Sequence, residues 1–139
     1  MQLPKNIQEL GEIFRNAHCP ELSEFKGEYL VDMLTLPSFK RISHRKFFYH
    51  EDAHVKGYNM FFTDIKWGSF FLEQGVCEGK NSVKAVIINY NIDGNLFITR
   101  GIRDYVRCIE RGILYIGRFK YVLMGKLYFL GYFSLSKVR

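Results

Sequence analysis

Four aromatic strands separated by turn residues fill the second half of the chain, and they limit the fold more than any other feature. VKAVIINY, residues 83 to 90, leads into Ile92-Asp93-Gly94-Asn95, where Asp-Gly is a strong hairpin signal. NLFITRGIRDYVRCI then runs to Glu110-Arg111-Gly112, ILYIGRFKYVL runs to Met124-Gly125-Lys126, and LYFLGYFSLSK follows. Strands joined by such short connections form an antiparallel up-and-down meander. Thirteen Phe, nine Tyr and one Trp in 139 residues suit pleated, half-buried surfaces and also lined pockets.

The first half adds a helix and more strands. Ile7, Leu10, Ile13, Phe14 and Ala17 recur at helical spacing, with Pro4 near the first turn and His18-Cys19-Pro20 as the stop, which predicts a helix over about residues 4–17. From Phe25 the period shortens. FKGEYLVDML places Phe25, Tyr29, Val31 and Met33 on one side before Pro37. SFKRISHRKFFY, residues 38 to 49, reads as a second strand, with Phe39, Phe47 and Tyr49 in one parity and Ile42 and Phe48 in the other. NMFFTDIKWGSFFLEQG supplies one or two more, with Gly68 as a candidate bulge.

The expected fold is therefore mainly β: an antiparallel up-and-down barrel of seven or eight strands, from about residue 25 to 137, with one N-terminal α-helix. A chain of this length is expected to form a single domain over 1–139. Glycines at 68, 101, 117 and 131 favour the closed barrel over an open sheet, because they relieve crowding where strands bend.

Composition narrows the setting. The N-terminus MQLPKNIQELGEIF lacks a basic opening and a continuous apolar stretch, and no segment reaches the run of about eighteen apolar residues that spans a membrane. Cys19, Cys77 and Cys108 are odd in number and lack CxxC spacing, as expected of free thiols. The expectation is a cytoplasmic protein without a membrane span. A net charge of +6 permits anionic partners, but the basic residues are scattered through strands and form no tail.

Enzyme motifs are sparse. His50-Glu51-Asp52-Ala53-His54 matches HExxH formally, yet that zinc chemistry needs a helix, and this stretch follows a strand and reaches Gly57 within three residues. It reads as a polar hairpin, and no metal or cofactor is expected. There is no GxSxG elbow, GxGxxG or GxxxxGK[ST] loop. One convincing helix also excludes the two βαβ crossovers of an RNA-recognition fold, although an oligonucleotide-binding barrel stays open.

The stretch from 96 to 109 is the most informative. Strict alternation puts Phe97, Thr99, Gly101, Arg103, Tyr105 and Arg107 on one face, and Leu96, Ile98, Arg100, Ile102, Asp104, Val106 and Cys108 on the other. If the first face looks inward, Arg103 and Arg107 form a charged floor that must be paired, and a ligand carboxylate or phosphate is one partner that satisfies the planar guanidinium. If it looks outward, the Ile102 and Val106 face is core and the arginines are surface. Asp104 has Arg100 or Arg118 as candidate cross-strand partners, and Trp67 is either a core residue or a pocket wall.

The helix followed by FKGEYLVDM resembles the lipocalin and calycin group, whose first strand carries Gly-x-Trp; here Gly27-Glu28-Tyr29 occupies that place. A second resemblance is to lipocalin-like GxWxG proteins, whose closing segment has an Asp-x-x-Arg pair, a glycine-containing strand and a Phe-rich strand. Asp104-Tyr105-Val106-Arg107, Gly117 and Tyr128-Phe129 stand in that order, whereas the GxWxG signature is missing. Either resemblance implies a small apolar or amphipathic ligand inside the barrel.

The expected function is noncatalytic binding of a small hydrophobic or amphipathic molecule with an anionic end, with Arg103 and Arg107 at the anion and Trp67, Tyr105 and Tyr115 along the apolar part. Two alternatives stand beside it. One is a barrel enzyme for a small acidic substrate, with Asp104 or a histidine such as His44 as acid–base group. The other is a nucleic-acid or protein interaction module on basic strand faces, for which nucleic acid is the less favoured partner.

Overall fold

The computed structural model describes residues 2–35, 43–62, 64–77 and 82–138. It contains one α-helix, α1 (Ile7–Asn16), and the strands β1 (Gly27–Met33), β2 (His44–Glu51), β3 (His54–Phe61), β4 (Ile65–Cys77), β5 (Val83–Asn89), β6 (Ile102–Glu110), β7 (Leu114–Leu123) and β8 (Lys126–Lys137). Each strand pairs antiparallel with the next, and β1 pairs with β8 from Tyr29↔Lys137 to Met33↔Phe133, so the sheet closes. The expected up-and-down barrel is the observed one, with eight strands. Among the described residues no helix is long and apolar enough to cross a membrane.

Alternation decides what fills the barrel. Tyr29 and Val31 of β1, Phe48 of β2, Phe70 and Leu72 of β4, Val86 and Ile88 of β5, Val106 of β6, Tyr115 of β7 and Phe133 of β8 belong to one buried cluster. Residues one position away face out. A 3-10 turn at Leu22–Glu24 sets Phe25 against Phe48 and Tyr115, with ring centroids 5.3 and 4.9 Å apart, which plugs the end where β1 begins. Tyr29, at the Gly-x-Trp-like position, packs edge-on against Phe48 and Tyr115 at that same end. The opposite end, where β4 begins and β5 ends, is the mouth.

The helix lies outside the wall. Leu10 and Phe14 of α1 bury against Ala85, Tyr105, Ile116 and Tyr132, the outward residues of β5 to β8. It is shorter than its periodicity predicts because the Asn6 side chain accepts hydrogen bonds from Gln8 N (2.9 Å) and Glu9 N (3.2 Å), which starts the helix after Pro4 and Lys5. At its other end His18 and Cys108 exchange backbone hydrogen bonds of 2.9 and 2.6 Å, tying the chain to β6.

Two strand boundaries differ from the expectation. Of the predicted strand 38–49, residues 38–42, including Phe39 and Ile42, lie outside the described residues, and β2 begins at His44. The stretch 96–109 is strand only from Ile102, while Thr99–Gly101 forms a 3-10 turn. The Asp93-Gly94 turn is present, with Asn95 N bonded to Ile92 O at 3.2 Å, but it lies within a longer connection. Asn95 explains the difference: it exchanges two hydrogen bonds with the Ser69 backbone (3.0 and 2.7 Å) and donates a third to Tyr90 O (2.8 Å). These bonds draw the chain across β4 before it can rejoin the ladder.

Close packing inside the barrel has a measurable cost if disturbed. A Cβ at Gly57 would lie 2.2 Å from the Phe47 carbonyl oxygen and 2.4 Å from the Phe70 ring. Gly57→Ala is therefore expected to lower the unfolding free energy by about 2–3 kcal/mol, because backbone and a core ring must both move. Urea denaturation checks this; an unchanged midpoint would mean that the β2–β3 wall is looser than described.

Candidate functional site

The charge inside the barrel is not the one that Arg103 and Arg107 were expected to provide. On β6 the inward residues are Asp104, Val106 and Cys108, and the outward ones are Arg103, Tyr105 and Arg107. The reading in which Arg103 and Arg107 line the lumen is corrected by this register. The outward face is nonetheless not simply solvated, because α1 covers part of it.

Arg107, 7% exposed, has a structural occupation there. It donates from Nε to Phe14 O at 2.7 Å and from the remaining guanidinium nitrogens to Ala17 O and Lys84 O. The bonds to Phe14 and Ala17 satisfy carbonyls that the helix end leaves without partners, and the bond to Lys84 ties that end to β5. Arg118 stacks 4.2 Å from the Phe14 ring centroid and donates to Tyr132 Oη at 2.9 Å. Arg103 donates to the carbonyls of Arg100 (2.6 Å) and Ile102 (2.8 Å) beside the mouth. Tyr105 is buried under α1, and Tyr115 sits at the plugged end, where its hydroxyl donates to Glu24 at 2.7 Å. Trp67 alone of the five predicted residues joins an aromatic cluster at the mouth, 37% exposed, with Phe61 and Tyr90 as ring neighbours at 5.7 and 6.3 Å. The five are thus distributed over two ends and two faces.

What the barrel does bring together is a set of inward polar groups near the mouth. Lys46 on β2 and Asp104 on β6 are both 3% exposed. In an eight-stranded ring these strands are opposite one another, with three strands between them in either direction, so their 3.6 Å approach of Nζ to Oδ2 crosses the lumen. Lys46 Nζ also donates to Asn59 Oδ1 (2.7 Å) and to Tyr90 Oη. Asn59 donates to Tyr90 Oη (2.8 Å) and Gly68 O (3.2 Å), and its Oδ1 is 2.8 Å from His44 Nε2. The register shift on β3 between Tyr58 and Asn59, opposite Gly68 at φ 65°, makes the close approach of Asn59 to that carbonyl possible. Asp104 Oδ1 has no hydrogen-bond partner among the described residues.

Burial in aromatic surroundings perturbs each titrating group. Loss of hydration pushes Asp104 up to about 6, with Lys46 pulling the other way. The same loss of hydration brings Lys46 down to about 8 against the attraction of Asp104. His44 falls to about 4 through burial and the neighbouring lysine charge, and is neutral at pH 7. Lys46 also lies 5.3 and 5.2 Å from the Phe70 and Tyr90 ring centroids, a partial replacement for water.

Other candidates fall away on geometry. His50 and His54 flank a two-residue turn, Asp52-Ala53, with φ of 49° and 67°. His50 accepts from or donates to nothing that resembles a metal site; its Nε2 lies 2.9 Å from Phe25 O. Among the described residues no group of three or more His, Cys, Asp or Glu side chains could hold a metal ion. Two concavities of about 410 and 510 Å³ flank α1 outside the barrel, and neither is lined by Trp67, Arg103, Tyr105, Arg107 or Tyr115.

Lys46, Asn59 and Tyr90 escaped the sequence reading. Both parities of HRKFFYH carry aromatic residues, so the facing of Lys46 is undetermined by pattern. Asp104 was the available signal, since it shares a parity with Ile102, Val106 and Cys108. Comparisons with protein-family models, curated proteins and solved structures each found no match, so geometry alone carries the site.

Two measurements check this assignment. Asp104 has its ordinary value of 3.8 when unfolded and about 6 when folded, so the native state holds the proton more tightly between these values. Its contribution to stability must then fall as pH rises through that window. Asp104→Asn, which cannot ionise, is expected to gain stability relative to the parent over the same range; parallel pH profiles would contradict a buried carboxyl. Arg107→Ala should cost about 2–3 kcal/mol by leaving helix carbonyls unsatisfied, read as a lower thermal midpoint.

Proposed function

We propose that this protein binds a small hydrophobic or amphipathic molecule with an anionic end, without catalysis, in the mouth of its barrel. The observation that carries the reading is Lys46: a cation brought into the lumen with an incompletely bonded carboxylate opposite and aromatic rings around it. An incoming carboxylate or phosphate meets the Lys46 ammonium, while Trp67 and Phe61 meet its apolar part. Trp67 thus keeps its predicted role, and Lys46 takes the one first given to Arg103 and Arg107. The ligand is short, because Phe25, Phe48, Tyr29 and Tyr115 already fill the far end. The resemblance to the lipocalin and calycin group supports a container of this kind. Free Cys19, Cys77 and Cys108 fit a reducing, cytoplasmic setting.

The enzyme reading has one observation in its favour, since Asp104 and His44, its two candidate acid–base groups, meet in the same cluster through Asn59 and Lys46. A nucleic-acid surface is less supported, because Arg107 and Arg118 are engaged with α1.

Binding of a fluorescent fatty-acid probe separates these possibilities. Asp104→Asn frees Lys46 from its competitor and is expected to strengthen probe binding. Lys46→Gln combined with Asp104→Asn, neutral and still capable of hydrogen bonding, should weaken it by about tenfold or more relative to Asp104→Asn alone. Arg103→Ala should leave it unchanged. Equal affinity in both Asp104 variants, with the fold intact, would overturn the assignment of Lys46.

A further inference from the structure

The mouth carries apolar side chains that are mostly exposed. Phe97 is 91% exposed and Met124 95%, with Leu96 and Ile98 each at 70%. They come from two neighbouring projections, the β5–β6 connection and the tip of the β7–β8 hairpin. Tyr121 of β7 donates to Ile98 O, and Gly101 lies against the Tyr121 ring, so the projections are joined. The first is also held by the Asn95 bonds to Ser69 and Tyr90 and by burial of Thr99. A fixed cluster of this size is more than the scattered apolar exposure of an ordinary surface.

Charge indicates what covers it. Lys66 and Lys126 are exposed at this end, and Arg100 and Arg103 stand there as well, Arg100 paired with Asp93 at 3.9 Å; Asp64 is the other acidic residue. The plugged end is balanced, with Glu51, Asp52 and Glu110 beside Lys56, Arg111 and Lys137. A second copy presenting the same face would bring like charges together. An anionic surface that accepts apolar groups would not.

We propose that the mouth docks on an anionic lipid bilayer, with Phe97 and Met124 entering the boundary between headgroups and acyl chains and Lys66 and Lys126 meeting lipid phosphates. This goes beyond ligand binding, since it concerns the outer rim and requires nothing bound at Lys46.

The full chain sedimented with vesicles of phosphatidylcholine mixed with phosphatidylglycerol tests it, with pure phosphatidylcholine vesicles as the comparison. The protein should pellet with the anionic vesicles, less so at high salt, and the emission of its one tryptophan, Trp67 at the mouth, should shift to shorter wavelength. Phe97→Ser combined with Met124→Ser removes no packing contact, so it should fold normally and lower the partition coefficient about tenfold or more. Lys46→Gln with Asp104→Asn should pellet like the parent, which separates this proposal from the reading of the niche. Failure of the parent to pellet at low salt would overturn docking, as would equal pelleting of the Phe97 and Met124 variant. Reversible dimers that this variant abolishes, without vesicle binding, would make the face a self-association surface instead.

Discussion

Lys46 and Asp104 approach to 3.6 Å only because β1 and β8 pair, since closure of the sheet turns two opposite strands into facing walls. In an open sheet the same residues would have three strands between them and could not meet. Closure also compels both groups into a lumen otherwise filled by aromatic rings, where an isolated charge costs several kcal/mol or more. Asn59 and Tyr90 reduce that cost by bonding the ammonium and each other. The carboxylate is compensated less completely: one oxygen meets Lys46 at long range, and the other has no partner among the described residues. This asymmetry is the feature on which the proposed ligand site rests.

The outer wall solves a different problem. A strand face bearing Arg107, Arg118 and Lys120 would ordinarily be surface, yet α1 lies across it and its residues become the means of attachment. Arg107 satisfies helix carbonyls and Arg118 stacks on Phe14, so the arginine-rich alternation of β6 and β7 serves the helix. Lys120 lies 4.9 Å from the Tyr105 ring centroid and continues the same pattern. Cations on strands are thus divided by position: those on the helix-covered wall hold the fold, while Lys66 and Lys126 are exposed at the mouth.

The meander, its closure and its N-terminal helix were legible in the sequence, because alternation, turn residues and helical spacing are local signals. The facing of β6 was not. Its parities were drawn correctly, but choosing the inner one depended on α1, whose Leu10 and Phe14 pack on the barrel wall and make a buried environment for the arginine face. Burial on both sides of a strand removes the contrast on which pattern reading relies. Strand 96–109 was overextended for a similar reason: Leu96, Phe97 and Ile98 look like strand residues, and the bonds that remove them from the sheet involve Ser69, far off in sequence. Asp104 and His44 were recognised as chemically capable, whereas Lys46, which joins them, lay in a segment with aromatics on both faces.

The central claim is that the lumen holds an ionisable pair poised near neutrality at the end opposite the Phe25 plug. Carbon-13 NMR of the Asp104 carboxyl, titrated in the folded protein, tests it most directly. A midpoint raised to about 6, moving higher when a short-chain fatty acid is added, is the predicted result. A midpoint near 3.8 that ignores the fatty acid would show a solvated carboxylate and would contradict the account.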